Sequence, residues 1–516
     1  LQLPVPWTST QGAPTVSGPF QTVGEFSVPT LSGTLTFSDL WDGNSTYLFI
    51  LMKTTSSGSS SSTFTMNPGT LTRNLPDETH LVYGSYDSAY RSQVTDRKSD
   101  VEQRLNADEE EEWSGRIHYL DLDLSGATGD LGEALSALGE PTTFGIDRFQ
   151  RLRQTGSTYT WGTSSTTYDP QHMSHEAWMW HAEHPVEIRR SDPAVEAVDL
   201  MFEDQHQGGW GGGFTTAMNA TFDLTHDLDT YDTMEMFHEH ACSERRDRYQ
   251  TSAGGYAGCH EWDFEANLRI CNRDNSSKCG TEFTRWITTY GREGRWLTDL
   301  SPYLFMLEDG EDRRFTYRGA NGGSLTITLL FSRWGESEVD HRPSSASFAF
   351  TGGQFNGSYN DPLLYDREHT LNIPTDASRV RIVATITGHG FQKDDANCAE
   401  FCDHEHHFTI GSNTAYEWHP IVYSNTGCEQ EVRRGVVANQ FGSWPFGRAG
   451  WCAGQDVKQW TYDITDWVTP GATETLSYRG LFNGAEYQPT GETESGGRNI
   501  HAEIWVVYDV PLPIRS

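Results

Sequence analysis

At 516 residues the chain is too long for one ordinary hydrophobic core, so two to four domains are expected. Its 37 basic and 72 acidic residues give a formal charge of -35, which argues against nucleic acid and anionic membranes as partners. No apolar run reaches membrane-spanning length, and 35% hydrophobic residues, 12% aromatics and 50 glycines fit a turn-rich, mainly β protein.

A start at Leu1 rather than at methionine leads us to expect a mature form whose signal peptide is gone, and hence a secreted, extracellular or periplasmic protein. Residues 1–23 read as an extended lead-in. Gly33–Trp41 and the apolar strand Tyr47–Met52 follow. This order resembles the opening of thioredoxin-like and redoxin domains, in which a reactive cysteine comes soon after the strand. Here the strand runs into the Ser/Gly/Thr tract Thr54–Ser62, and residues 1–241 contain no cysteine. Such a domain has no thiol nucleophile and is expected to be redox-dead.

A polar helix is expected over Asp96–Glu112, a strand over Arg116–Leu124 and a helix over Leu131–Leu138. His172, His175, His181 and His184 match no standard metal-ligand spacing, and we read them as surface or packing histidines. The glycine run Gly208–Gly213 is taken as a domain boundary. Short alternating strands between turn signals, such as Leu325–Leu330, Arg379–Thr385 and Ile504–Tyr508, then call for β-sandwiches.

All eight cysteines lie after residue 241: Cys242, Cys259, Cys271, Cys279, Cys398, Cys402, Cys428 and Cys452. An even count in an exported chain favours disulfides over thiol chemistry, but eight cysteines permit 105 pairings and spacing alone does not choose among them. The segment Asn397–Phe408 contains Cys398-Ala399-Glu400-Phe401-Cys402, which fits a small disulfide-pinned loop holding one carboxylate. Farther on, Phe446–Gly454 brings Arg448, Trp451 and Cys452: a cation, an aromatic face and another cysteine, suited to a polar ligand with apolar ring faces.

These two segments resemble the Cys-Ala-Glu-Trp-Cys and Asp-Arg-Ala-Gly-Trp-Cys signatures of the peptide-N-glycosidase F family. Cys259-His260-Glu261-Trp262-Asp263 is similar to its Cys-Asp-Glu-Trp-Asp. The resemblance begins near Ala217 and implies two packed eight-stranded jelly rolls. The expected organisation is therefore mainly β: an α/β thioredoxin-like domain over 1–213, then jelly rolls over 214–345 and 346–516. It favours the pairs Cys398–Cys402, Cys428–Cys452 and Cys242–Cys259, leaving Cys271 with Cys279.

The activity implied is hydrolysis of the amide between an asparagine side chain and the first N-acetylglucosamine of a glycan. An N-glycosylated protein or peptide would be the partner, and no cofactor is needed. Such an amide is resonance-stabilised, so a carboxylate must activate water while donors steady the oxyanion. Asp263, Glu400 and Arg448 match the family's catalytic aspartate, assisting glutamate and orienting arginine. Trp262, Trp334, His389, Phe401, Trp451 and Ser332 match substrate-binding positions. As plain structure, Asp263 would be a turn carboxylate and Glu400 a salt-bridge partner of Arg448.

Several positions depart from the family pattern. Ser332 stands for a third carboxylate, and Phe264 for an arginine. His389 and Phe401 stand for tryptophans, and Gly447 for an aspartate. Two further readings follow from this. His238-Glu239-His240 and His404-Glu405-His406 each put two imidazoles on one side of a strand, and copper-dependent monooxygenases share the double jelly roll. Copper held by His238, His240, His404 and His406 is the alternative cofactor, with His389, His407 and His419 as possible additions. The other alternative is a non-catalytic secreted glycan-binding or structural protein.

Overall fold

The computed structural model describes residues 6–8, 16, 18, 21–54, 62–73, 75–155, 175–206, 213–241, 262–320, 323–333, 341–390, 396, 398–440, 442–490 and 499–512. It is mainly β, in two compact units.

The first unit is built on Leu1–His184 and also takes in Val432–Ser443. Its strands are β1 (Ser27–Thr30), β2 (Gly33–Thr36), β3 (Thr46–Met52), β4 (Thr79–Ser85), β5 (Ile117–Asp123), β6 (Thr143–Ile146) and β7 (Leu152–Gln154). They form one sheet in the order β2-β1-β5-β4-β3-β6-β7. Strands β3, β4 and β5 run parallel, and β6 and β7 are antiparallel additions.

β3 is buried along its whole length. Tyr47, Phe49 and Leu51 feed one core, whereas Leu48, Ile50 and Met52 feed the other. A period-two strand apolar on both faces is what a central strand covered on both sides requires.

The helix expected over Asp96–Glu112 is two helices, Tyr90–Arg104 and Ala107–Glu112. Asn106 causes the break. Its side chain accepts from the Asp108 and Glu109 amides, and Glu109 accepts from the Asn106 amide, forming a capping box that starts a new helix. Downstream, Glu78 accepts from the Trp178 indole at 2.7 Å and meets His181 at 3.1 Å, and the Arg433 guanidinium lies over Trp178. His175 is buried, and His172 lies outside the described residues.

The second unit contains two β-sandwiches. The first uses β8 (Glu196–His206), β9 (Gly213–Thr221), β10 (Thr233–Ala241), β11 (Glu265–Ile270), β12 (Thr281–Ile287), β13 (Gly294–Asp299), β14 (Asp312–Ala320) and β15 (Gly323–Ser332). The second uses β16 (His341–Gln354), β17 (Glu368–Asn372), β18 (Arg379–His389), β19 (His404–Ile410), β20 (Asn413–Glu417), β22 (Trp460–Asp463), β23 (Thr473–Phe482) and β24 (Asn499–Pro511). The short β21 (Gln455–Asp456) comes from the second half of the chain but pairs with β12 of the first sandwich.

The sheets are β13-β10-β15-β8 against β21-β12-β11-β14-β9, then β16-β24-β18-β22 against β17-β23-β19-β20. Phe350, Ile382, Phe408, Leu476 and Ile504 fill the second core. β8 precedes the glycine run yet pairs antiparallel with β15 in the second unit. The strands on either side of the run, β8 and β9, belong to the two sheets of one sandwich and to the same compact unit.

Candidate active site

Three chain segments converge in the second unit. Asp263 precedes β11 in a turn held by Thr288, whose hydroxyl donates to the Trp262 carbonyl at 2.7 Å and accepts from the Phe264 amide at 2.8 Å. Glu400 sits in a loop between β18 and β19 that the Cys398–Cys402 disulfide closes. Arg448 lies on a segment anchored by Cys428–Cys452. The Ala449 amide donates to the Glu400 carbonyl, and the Gly388 amide donates to the Ala449 carbonyl, each at 2.9 Å.

The side chains follow this stitching. Arg448, 1% exposed, reaches Asp263 Oδ2 from Nη2 at 3.4 Å and Glu400 Oε1 from Nε at 3.3 Å. Its Nη1 donates to the Phe446 carbonyl at 2.8 Å, and the Tyr290 hydroxyl accepts from Nη2 at 3.5 Å. The guanidinium lies 4.8 Å from the Trp451 ring centre and 5.7 Å from that of Phe401.

Burial pushes the Asp263 carboxyl above the ordinary aspartate value, with Arg448 and Tyr290 pulling against it. Burial likewise raises Glu400, where Arg448 opposes the shift and neighbouring Asp263 adds to it. Two carboxylates bridged by one buried guanidinium hold a proton more readily than exposed acids do, as suits general acid–base work.

A second layer adjoins this one. His389 stacks on Trp451, with ring centres 5.4 Å apart, and meets Glu265 Oε2 at 3.2 Å. His501 Nδ1 reaches the same oxygen at 2.6 Å, and Arg285 stands 4.0 Å away. Burial works against Glu265, but Arg285, His389 and His501 outweigh it and hold the carboxylate ionised far below its usual range. A cavity of about 760 Å³ opens beside this layer, lined in part by Glu265, Arg285, His501, Glu503, Phe348 and Tyr365.

Of the residues singled out from sequence, Asp263, Glu400, Arg448, Phe401, Trp451 and His389 are brought together. Trp262 is 44% exposed and packs edge-on to Tyr290. Ser332 is buried at the end of β15 and accepts from Arg189, which also pairs with Glu235. Trp334 and the pair Cys242 and Cys259 lie outside the described residues. Cys271–Cys279, Cys398–Cys402 and Cys428–Cys452 are disulfides as expected.

Tyr290, Glu265, Arg285 and His501 were not singled out as site residues. Glu265 lies two residues beyond Asp263, a spacing that could have flagged it. His501 gives no local signal, because it reaches the site through the β18–β24 register that sets Thr387 opposite His501.

The structure also accounts for one departure from the family pattern. A Cβ at Gly447 would lie 1.8 Å from the Ile421 carbonyl oxygen, so an aspartate has no room there. Gly447→Ala should lower stability by about 1–3 kcal/mol through overpacking, measured by denaturant unfolding. A loss below about 0.5 kcal/mol would mean that the Ile421 segment yields freely.

The copper alternative placed ligands in both sandwiches. His238 is buried in the first, between Trp286 and Trp296, with Nε2 3.4 Å from the Thr298 hydroxyl. Among the described residues, the clusters able to offer three ligand atoms are His404–His406–His419 and Glu265–His389–His501. His238 and His240 belong to neither.

Residues 358–508 match the family described as peptide-N-glycosidase F, C terminal. No curated protein matches the chain. Among solved structures, recombinant N-glycanase F is 20% identical, with 63% of this chain and 98% of that chain covered at a TM-score of 0.48. PNGase F, a glycosylasparaginase from Flavobacterium meningosepticum, is 19% identical, with 62% and 98% covered at 0.47. PNGF-II is 10% identical, with 63% and 66% covered at 0.43. The resemblance read from the sequence is thus matched over residues 358–508, within the second sandwich, by the model of the peptide-N-glycosidase F C-terminal family.

Proposed function

We propose that this chain hydrolyses the glycosylasparagine amide of N-glycosylated proteins or peptides outside the cytoplasm. The observation that carries the reading is the bridging of Asp263 and Glu400 by a fully buried Arg448. In this scheme ionised Asp263 takes a proton from a water whose oxygen attacks the asparagine Cγ. Arg448, with Tyr290, steadies the charge that grows on the carbonyl oxygen. Glu400, in its protonated form, delivers a proton to the departing nitrogen. The C–N bond breaks to give aspartate and a glycosylamine. The cavity beside Glu265 and His501 is of a size for sugar rings.

The first unit is read as a redoxin-type scaffold without a thiol, a reading supported by its order of parallel β3, β4 and β5 beside antiparallel β6 and β7. Its role would be packing or substrate positioning rather than redox chemistry.

The test is a sequon-bearing glycopeptide incubated with the full chain in H₂¹⁸O and followed by mass spectrometry. Release of the glycan with conversion of asparagine to aspartate, and one ¹⁸O in the new carboxyl, is the expected result. Intact glycopeptide after prolonged incubation overturns the amidase and leaves glycan binding, which a glycan array then examines.

A further inference from the structure

Behind the loops that carry Glu400 and Arg448, three imidazoles meet. His404 and His406 come from β19 and His419 follows β20, and each offers a nitrogen within 4.8 Å of the other two. Alternation along β19 sends His404 and His406 to the same face, where both are fully buried. Glu417 lies directly across from His406 in the β19–β20 ladder and is also buried. Among the described residues, neither His419 Nε2 nor Glu417 Oε2 has a hydrogen-bond partner. A buried acid and a buried imidazole with unsatisfied atoms are costly unless something occupies the space they face.

The other ring nitrogens are already engaged. His404 Nε2 lies 3.0 Å from the Ala399 carbonyl, which can only accept, so the proton is on Nε2 and Nδ1 carries the lone pair, available to accept from a neighbouring N–H or to bind an ion. That Nδ1 faces His406 Nε2 at 2.8 Å. His406 Nδ1 is 2.8 Å from the Tyr478 hydroxyl, which lies 2.7 Å from that of Tyr359. Metal-binding histidines are oriented in this way, with the far nitrogen fixed by a carbonyl or other acceptor and the near one turned inward.

We propose that His404, His406 and His419, with Glu417 as the neighbouring carboxylate, bind one late first-row divalent metal ion, Zn²⁺ or Cu²⁺. Imidazole nitrogen suits both ions, and the carboxylate offsets their charge in a buried site. Nitrogens on a tetrahedral ion stand about 3.3 Å apart, so shifts of about 1.5 Å or less bring the three into place.

The ion would act on the loops of the candidate active site. The Ala399 carbonyl that fixes His404 belongs to the residue before Glu400. A Cβ on Gly450, two residues after Arg448, would come within 3.0 Å of His419 Cε1. Metal binding therefore fastens both loops to β19, and this holds whether or not the amide chemistry is as proposed.

The competing state is a metal-free hydrogen-bond chain from Tyr359 through Tyr478, His406 and His404 to Ala399. To separate the two, the full chain is stripped with a chelator, dialysed and titrated with Zn²⁺ and with Cu²⁺ in separate calorimetric runs. Co²⁺ serves as a spectroscopic probe. We expect one ion per chain, a ligand-field absorption band with Co²⁺, and an unfolding midpoint of the second unit raised by roughly 3–5 °C at a hundredfold excess over Kd. His419→Ala and His406→Gln should each weaken binding at least tenfold and abolish the Co²⁺ band. His407→Ala, whose ring bonds to Glu405 instead, should leave both unchanged.

No stoichiometric uptake of either ion by folded wild type overturns the site and leaves the hydrogen-bond chain. Uptake undiminished in both His419→Ala and His406→Gln overturns it equally. The wild-type titration alone is decisive should either variant fail to fold.

Discussion

Asp263→Asn should leave the fold intact and lower kcat/KM for glycopeptide cleavage by about 10²–10⁴-fold, the usual contribution of a general base. The amide keeps the shape of the carboxylate and its place in the Thr288-bound turn, but it cannot take a proton from water. The pH profile carries the stronger evidence. Burial raises the Asp263 carboxyl, and only the ionised form is a base, so wild-type activity should climb with pH through a value above the ordinary aspartate range. That acid limb should vanish in the residual activity of Asp263→Asn. Glu400→Gln should instead reduce turnover most below the raised glutamate value, where wild type still holds the proton for the leaving nitrogen, and the alkaline limb of the wild-type profile should flatten. Cleavage by Asp263→Asn at the wild-type rate, with the acid limb unchanged, would assign the base elsewhere. Glu265 would be no substitute, because its neighbours hold it too strongly ionised to accept a proton in turnover.

The parts of the site that could be read from sequence are those whose geometry is local. Cys398 to Cys402 is one short loop, so Glu400 is placed by covalent spacing, and the Arg-Ala-Gly-Trp-Cys run carries its cation and ring together. The His404/His406 pair followed from strand alternation alone. His419 joins them because a tight β19–β20 hairpin folds the chain back, and hairpin register was not part of the reading.

Glu265, His501 and Arg285 needed still longer-range knowledge: the register of β18 on β24 and the close approach of the two sandwiches, where Arg285 donates to the Thr387 hydroxyl at 2.6 Å. In the first unit, the apolar run of β3 marked a central strand without ambiguity. The break at Asn106 was missed because charged residues on both sides masked the cap. The glycine run after β8 looked like a boundary because glycine marks turns of every kind, within a domain as well as between domains.

Removing the cation should do more to stability than removing either acid. Arg448→Met is expected to destabilise the second unit by about 3–5 kcal/mol near neutral pH, the range for breaking a buried ion pair from one side. Methionine replaces much of the stem, and Trp451 and Phe401 can pack against its sulfur. The loss is therefore electrostatic: Asp263 and Glu400 remain half-buried without their shared counter-charge.

The sign with pH follows from linkage. Both carboxyls already sit above their unfolded values, so the folded state binds protons more tightly than the unfolded chain. Stability from these groups therefore falls as pH rises from the ordinary carboxylate range through the raised values. Without Arg448 the offset that held them down is gone, and the raised values move further up. The deficit of Arg448→Met should accordingly be small near pH 4, where protonation is cheap, and approach its full size near pH 7.

Denaturant unfolding of wild type and variant at the two pH values measures this directly. Arg448→Lys tests the geometry, since one ammonium restores the charge but cannot reach both carboxylates as a fork, and it should recover only part of the loss. A deficit that is equal at both pH values would mean that packing around Trp451, not charge, is what Arg448 provides.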